Sequence, residues 1–308
     1  MSPSPTRSLL TTVALAAALV APGAVAVPGL PGTSAPAHAA PTDDQLGADG
    51  SVLRSSETSR VAPGLELTNF SRMEDGGWNN GNVLTADLTE DSLSVDVADT
   101  GVVAGASPTS EVMASGDRGG EAVAAVNGTF FDINHSYAPI YSSVSQEELR
   151  VGTGTPMPSL TVTGQQAAVQ MLSAPGTLTA DGEEHDLGGL NNPQLSPDAI
   201  GVYTAAWGDY TLDRPVGGPE ALADDIARVT VVDGEVVDAS GLVEEAGEPE
   251  VPEDGQVLLG REAGAQALAD LDVGDEVDVE IGPSQDVDTA IAGSNQILTD
   301  GEVPDMSG

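Results

Sequence analysis

Residues 122–140 read AVAAVNGTFFDINHSYAPI and form the most unusual segment of the chain. The apolar run 122–126 lies between glycines, which predicts a short buried strand. Polar and aromatic residues follow at once, so we expect them at a strand end, where clefts form. Rings beside amide and carboxyl groups suit a sugar, whose apolar face stacks on rings and whose hydroxyls pair with Asn and Asp. The alternative is an ordinary turn in which the two adjacent Phe rings cap the core.

The sequence around this segment is mostly short strands with turn residues between them. Residues 83–88 and 93–97 alternate apolar and polar positions and predict a half-buried hairpin. Asp233-Gly234 predicts a second hairpin turn. Short helices are predicted at 107–117 and 262–271. Further predicted strands are 159–163, 167–172, 200–204, 227–232, 235–238, 256–259, 276–281 and 289–298. Together these elements predict an α+β fold with mixed, mostly antiparallel sheets and two or three short helices, in a single domain after a signal peptide.

Composition limits the partners. The 308 residues include 9 Lys+Arg, all of them Arg, against 49 Asp+Glu, for a net charge of -40. A chain so acidic does not hold nucleic acid by counterion release, and an anionic membrane surface repels it. The absence of Cys excludes disulfides, thiol nucleophiles and Cys-ligated zinc. Repulsion among the carboxylates also predicts that added salt stabilises the fold.

The N-terminus is typical of an export signal. Arg7 precedes the uncharged apolar run 9–20, and Ala37-His38-Ala39 fits the cleavage pattern of signal peptidase. We therefore expect a signal peptide at 1–39, cleaved after Ala39, with Ala26 as the alternative site. A flexible linker is predicted at 40–62 and the folded domain at 63–308. The mature chain has no predicted transmembrane segment and is expected to be secreted and extracellular, with its oligomeric state open.

The run AVNGTFF at 125–131 resembles the phosphodiester glycosidase family, whose members remove N-acetylglucosamine from a phosphodiester. Other segments resemble the family in the same order, across roughly residues 80–301. They are Ala138-Pro139, Asn191, 201–204, Trp207-Gly208, 271–277, 290–298 and Asp300-Gly301. The resemblance implies a hydrolase that acts on a carbohydrate or glycan phosphodiester.

The resemblance also implies a set of site residues. Asp132 is the expected carboxylate near the sugar, Asn127 the residue that orients a hydroxyl, and Asp300 a further catalytic candidate. The expected substrate-binding residues are Gly128, Thr129, Phe130, Phe131, His135, Tyr137, Asn191, Thr204, Trp207, Gly293, Ser294 and Asn295. No cofactor is expected. Asp132, Asn134 and Ser136 imitate the start of an EF-hand, but Tyr137 and Ser143 replace its Gly and Glu, so only incidental calcium on the acidic surface stays open.

The chain departs from the family pattern at several points. Tyr141 stands where the family has a glycine, and Ala292 stands where it has the first of two glycines. Family members also continue into an Arg-Thr segment beyond the point that corresponds to Gly308 in this chain. We therefore expect a domain that is incomplete at its C-terminus, with the phosphate-binding Arg in the missing part. Two alternatives to a hydrolase remain: a non-catalytic glycan-binding surface module, and the N-terminal part of a larger secreted multidomain enzyme.

Overall fold

The computed structural model describes residues 41, 46, 50–106, 112, 121–218, 222–299 and 302–303. These residues belong to two compact units, divided after Ser94, where the sequence predicted a single domain. Residue 302 is grouped with the first unit and residue 303 with the second. The predicted signal peptide lies outside the described residues, as does nearly all of the predicted helix 107–117.

The first unit is a three-stranded antiparallel sheet of β1 (Val52–Ala62), β2 (Leu65–Glu74) and β3 (Gly77–Ala86). The sequence had assigned residues 52–62 to a flexible linker, which is wrong. This polar segment becomes a strand because its backbone pairs with β2 along its whole length, from Val52 opposite Met73 to Ala62 opposite Leu65. The predicted hairpin 83–88/93–97 is also wrong, since β3 pairs with β2 and residues 93–97 are not a strand.

The second unit contains the large, largely antiparallel sheet, in which only β9 and β10 run parallel among the described strands. Its path is β12-β11-β13-β10-β9-β5-β4-β15-β6-β7, and β8 joins β9 to β14. The strands are β4 (Ser143–Ser145), β5 (Glu148–Thr153), β6 (Met157–Thr163), β7 (Gln166–Leu172), β8 (Gly176–Ala180), β9 (Glu183–Leu190), β10 (Ile200–Thr204), β11 (Ile226–Val232), β12 (Glu235–Val243), β13 (Gly255–Arg261), β14 (Val277–Ile281) and β15 (Thr289–Ala292).

The described residues contain one α-helix, α1 (Ala263–Ala269), and a 3-10 turn at Ala205–Trp207. The helix packs closely on the sheet, since a Cβ on Gly260 of β13 would collide with the Gly264 backbone and a Cβ on Gly264 with the backbone of Ala199, just before β10. Among the described residues the fold is therefore mostly β. The predicted mostly antiparallel sheets are confirmed, whereas one short helix gives little support to the α+β label with its two or three helices. Within the part of the chain that the structure describes, no helix has both the length and the apolar character needed to cross a bilayer.

Three apolar clusters fill the second unit, of which the smallest contains Val144, Leu172 and Ala290 and the two larger ones bear on the site. One joins α1 to β10, β11 and β13, with Val202, Leu258 and Leu268 at most 1% exposed. The other contains Ala138, Tyr203 and Trp207. Because Ala138 is completely buried there, it anchors the segment that the sequence singled out.

The predicted buried strand 122–126 is not buried. Val123 is 40% exposed and Val126 is 52% exposed. None of residues 121–128 pairs with a strand in the described structure. An apolar run becomes a buried strand only where neighbouring strands pair with it and a second layer covers it, and neither condition is met here.

Candidate functional site

Residues 127–140, called here the aromatic loop, fold back on themselves. Phe131 forms an antiparallel bridge with Pro139, and the Ile140 N–H donates to the Phe130 carbonyl at 3.1 Å. The Asp132 N–H donates to the Ala138 carbonyl at 2.9 Å, which closes the loop near its base. With Ala138 buried in the core, the loop has a fixed base and an outward tip.

The loop presents its aromatic side chains to solvent. Phe130 is 59% exposed and Phe131 46%, and Ile133 beside them is 62% exposed. The rings of Phe131 and Tyr137 lie 6.3 Å apart between centroids. Segment 127–131 and Ile133 line a shallow open hollow. Exposed rings on a fixed loop form a surface on which a planar apolar group can stack.

The start of the loop lies against β15. A Cβ on Gly128 would overlap the Cδ1 atom of Ile291, so the absence of a side chain at this position allows close approach. Gly293 follows at the end of the strand, and its N–H donates to the Pro158 carbonyl at 2.7 Å. The structure thus places Gly128 of the loop against Ile291 of β15, the strand that leads into the predicted residues 293–295.

The carboxylate of Asp132 is enclosed beneath the loop, with its side chain 3% exposed. Arg214 donates from Nη2 to Oδ1 at 2.6 Å and from Nε to Oδ2 at 2.8 Å. Ser136 donates to Oδ2 from its hydroxyl at 2.7 Å and from its backbone N–H at 3.1 Å. Burial raises the pKa of Asp132, but the hydrogen bonds from Arg214 and Ser136 outweigh it and hold the pKa below its usual value. Asp132 is therefore ionised at neutral pH and connects the loop to Arg214.

Sequence reasoning missed Arg214, which lies 82 residues from Asp132. Its remaining donor Nη1 bonds to the Gly218 carbonyl at 3.0 Å, so the guanidinium also holds its own turn. The one available signal for this partner was the small number of cations. A buried carboxylate is usually paired with a cation, and the nine Arg residues are the only candidates in this chain. Asn192 was missed as well; its Nδ2 reaches the carbonyls of Ile140 and Gly152 at 3.4 Å, which connects the end of the loop to β5.

Asn191 and Thr204, both predicted to bind substrate, bond to each other instead. Asn191 Nδ2 donates to Thr204 Oγ1 at 3.0 Å and to the Arg150 carbonyl at 3.1 Å, and its Oδ1 accepts the Thr204 N–H at 2.9 Å. Asn191 is 1% exposed and has a φ of 47°, a conformation that Asn tolerates well. These residues join β5, β9 and β10, and their assignment is corrected from ligand contact to framework.

Trp207 is also part of the framework. It has no exposed surface, its indole N–H donates to the Tyr210 carbonyl at 2.7 Å, and its ring meets that of Tyr203 edge-on at 5.3 Å. A completely buried ring does not stack on a ligand, so the predicted substrate contact is corrected.

The other predicted residues that the structure describes are exposed or partly buried. Asn127, Tyr137, Gly293 and Asn295 are exposed, and Thr129, His135 and Ser294 are partly buried. The Thr129 hydroxyl has no hydrogen-bond partner in the described structure. Asp300 lies outside the described residues. Among those described, no three acidic or His side chains come close enough together to hold a metal ion.

No protein-family model matches the chain, and no curated protein matches its sequence. Its fold is similar to that of a hypothetical protein from Synechocystis, with a TM-score of 0.65 and 19% identity over 81% of this chain and 46% of that one. A protein from Burkholderia pseudomallei K96243, described as a putative exported protein, has a TM-score of 0.60 and 15% identity, over 87% of this chain and 75% of its own. The chain thus spans less than half of the Synechocystis protein, and at these identities the likeness is one of fold alone.

Proposed function

We propose that the chain is a secreted glycosidase-type hydrolase that cleaves a sugar from a phosphodiester-linked glycan or cell-wall component, with the sugar bound on the aromatic loop. The observation that carries the proposal is the contact of Gly128 with Ile291. It joins two motif segments more than 150 residues apart in the sequence beside a set of exposed rings. Such a convergence is what a site built from distant segments requires.

In this proposal the aromatic rings bind the sugar and the polar groups orient it. Phe130 and Phe131 stack on the apolar face of the sugar, and Asn127 pairs with a hydroxyl. A phosphate is a good leaving group, so a proton donor with a raised pKa is not required. Asp132, whose pKa is lowered, is unsuited to donate a proton, and its enclosed carboxylate acts as a positioning group for the loop.

The test is the release of free sugar from a synthetic sugar-1-phosphodiester. Phe130→Ala and Phe131→Ala should each lower kcat/KM about tenfold, because each loses a stacking contact. Leu242→Ala is the matched control, since Leu242 is 53% exposed on β12 and should leave kcat/KM unchanged. The proposal would be refuted if the wild type showed no turnover and no sugar binding.

A second candidate function, a non-catalytic glycan-binding module, is favoured by the state of Asp132. Its carboxylate accepts four hydrogen bonds within the protein and is 97% shielded, so it has no oxygen free to attack a sugar. Binding of a phosphorylated glycan without turnover, lost in Phe130→Ala, would select this function over the first.

Secretion is part of the same proposal. It is supported by the leader pattern at 1–39 and by the exported description of the Burkholderia neighbour. N-terminal sequencing of the protein from the culture medium should begin at Ala40. Retention of the whole chain inside the cells would contradict this part.

A further inference from the structure

One face of the first unit carries an exposed tryptophan. Most of the other side chains on this face are uncharged and polar. Residues directly opposite each other in an antiparallel sheet point to the same face, so the register defines the rows. They are Trp78, Met73 and Val52; Asn80, Ser71 and Ser55; and Asn82, Asn69 and Glu57. These nine residues are called here the Trp78 face.

Trp78 is held in place and yet open to solvent. The Arg54 guanidinium lies 5.9 Å from the centroid of its ring, a cation–π distance that orients the indole. The side chain nevertheless remains 56% exposed, and the neighbouring Met73 is 37% exposed. An oriented, solvent-facing indole is prepared to stack on a ligand without losing much conformational entropy on binding.

The side chains in the rows beyond Trp78 can both donate and accept hydrogen bonds. Asn69, Asn80 and Asn82 are exposed, and no hydrogen bond ties their amide groups to other described residues. Each amide has two donor hydrogens and an acceptor oxygen, which is the combination that hydroxyl groups need.

The Trp78 face is also almost free of carboxylates. Only Glu57 among its nine residues is acidic, although the whole chain carries 49 Asp and Glu. A surface intended for a cationic partner would present carboxylates, and one intended for an anion would present several Arg. The ligand that fits is neutral, has an apolar face for the indole, and bears hydroxyls.

We propose that the Trp78 face binds a neutral polysaccharide chain. Four residues of extended strand separate Trp78 from Asn82, a length of about 13 Å, so the face exceeds a single sugar ring. One sugar stacks on the indole, and the next ones bond to Asn80 and Asn82. This site shares no residue with the aromatic loop and gives the chain a means of staying on a polymer, whatever reaction follows.

The two tryptophans make the binding directly measurable. Trp207 is completely buried and Trp78 is 56% exposed, so acrylamide should quench mainly Trp78. Cellohexaose, chitohexaose and laminarihexaose are the probes, and at least one should lower the acrylamide quenching of the full chain. Protection that rises with protein concentration in the absence of sugar would instead indicate a second copy on this face and overturn the proposal.

Variants complete the test. Binding by the variants is measured by isothermal titration calorimetry, because Trp78→Ala has no exposed indole to quench. Trp78→Ala should weaken sugar binding by about tenfold, since the stacking surface is removed, whereas Val273→Ala, which truncates a residue 65% exposed elsewhere, should not weaken it. Asn82→Ala removes one of the exposed amide groups and should raise the Kd for the sugar without affecting Trp78 emission. Wild-type binding by Trp78→Ala, or no effect of any of the three probes, would refute the proposal. Trp78→Ala should keep its activity on a small soluble phosphodiester while Phe130→Ala loses it, so failure at one site is distinguishable from failure at the other.

Discussion

Breaking the pair between Asp132 and Arg214 should destabilise the second unit strongly. Arg214→Met keeps the aliphatic stem but leaves the Asp132 carboxylate, 3% exposed, without its cation. Removing one partner of a buried pair costs about 3 kcal/mol or more, because the remaining charge has lost both water and counter-charge. For a unit of this size that loss corresponds to a fall in Tm of about 6–12 °C.

A double-mutant cycle separates the pair from its surroundings. Asp132→Asn should cost a similar amount, and the double variant Asp132→Asn/Arg214→Met should cost clearly less than the two single variants together. Arg214→Lys should be intermediate, since lysine keeps the charge but loses the two-pronged geometry. Met171→Ala is the control: Met171 lies on β7 of the second unit and is 52% exposed, so truncating it should cost about 0.5 kcal/mol or less.

Urea unfolding followed by the emission of Trp207, in a Trp78→Phe background, measures these differences in the second unit. The contribution of the pair should be complete at neutral pH. Because the folded pKa of Asp132 lies below its unfolded value of 3.8, the contribution should be lost as the pH falls through the folded pKa. Single variants that cost less than about 1 kcal/mol, or that simply add, would refute the argument.

Three further predictions concern the base of the loop, the strand junction and the solvent. Gly128→Ala should lower the free energy of unfolding by about 1 kcal/mol or less, because the new methyl meets Cδ1, the flexible end of the Ile291 side chain, which can rotate aside, and adding Ile291→Val, which removes that atom, should reduce the loss in thermal melts. Asn191→Ala should cost about 2–4 kcal/mol through lost hydrogen bonds and positive φ, and Asn191→Gly should recover only the part due to φ. The Tm should rise between low and molar salt because screening relieves repulsion at a net charge of -40; an unchanged Tm would contradict this.

The sequence predicts those strands whose pattern and turns are local. The predicted strand 200–204 matches β10 in full, and Asp233-Gly234 does join β11 to β12, with both residues at positive φ. The predicted helix 262–271 contains α1. In contrast, β9 was missed because its apolar residues are interrupted by charges and by two glycines. Gly189 is needed there because a side chain would collide with the Gly152 carbonyl of β5, a contact that only the assembled sheet creates.

The candidate site was likewise predictable only where its residues are neighbours in the sequence. The clustering of rings and polar groups in 127–137 is local and was visible in the sequence. The pairing of Asp132 with Arg214 depends on a contact across 82 residues, and no local pattern marks it. Trp207 was misassigned because a Trp-Gly pair at a strand end looks alike whether the indole N–H meets a ligand or the Tyr210 carbonyl.

The charge of the chain provides a way to decide between hydrolysis and binding alone. The exposed part of the aromatic loop carries no carboxylate; its outward side chains are Asn127, Phe130, Phe131, Ile133, Asn134 and Tyr137. A neutral sugar therefore approaches without electrostatic cost, whereas a phosphodiester is an anion approaching a chain of net charge -40. Screening reduces that repulsion, since the Debye length falls from about 30 Å at 0.01 M to about 3 Å at 1 M salt. If the chain hydrolyses phosphodiesters, KM should fall as salt is added while kcat stays constant. If it binds glycans without cleaving them, no sugar should be released from a phosphodiester at any salt concentration, and the Kd of a neutral glycan should not respond to salt. A KM that rises with salt would mean that a cation outside the framework pair Arg214–Asp132 attracts the phosphate, and would contradict the assignment of the loop as an uncharged, sugar-binding surface.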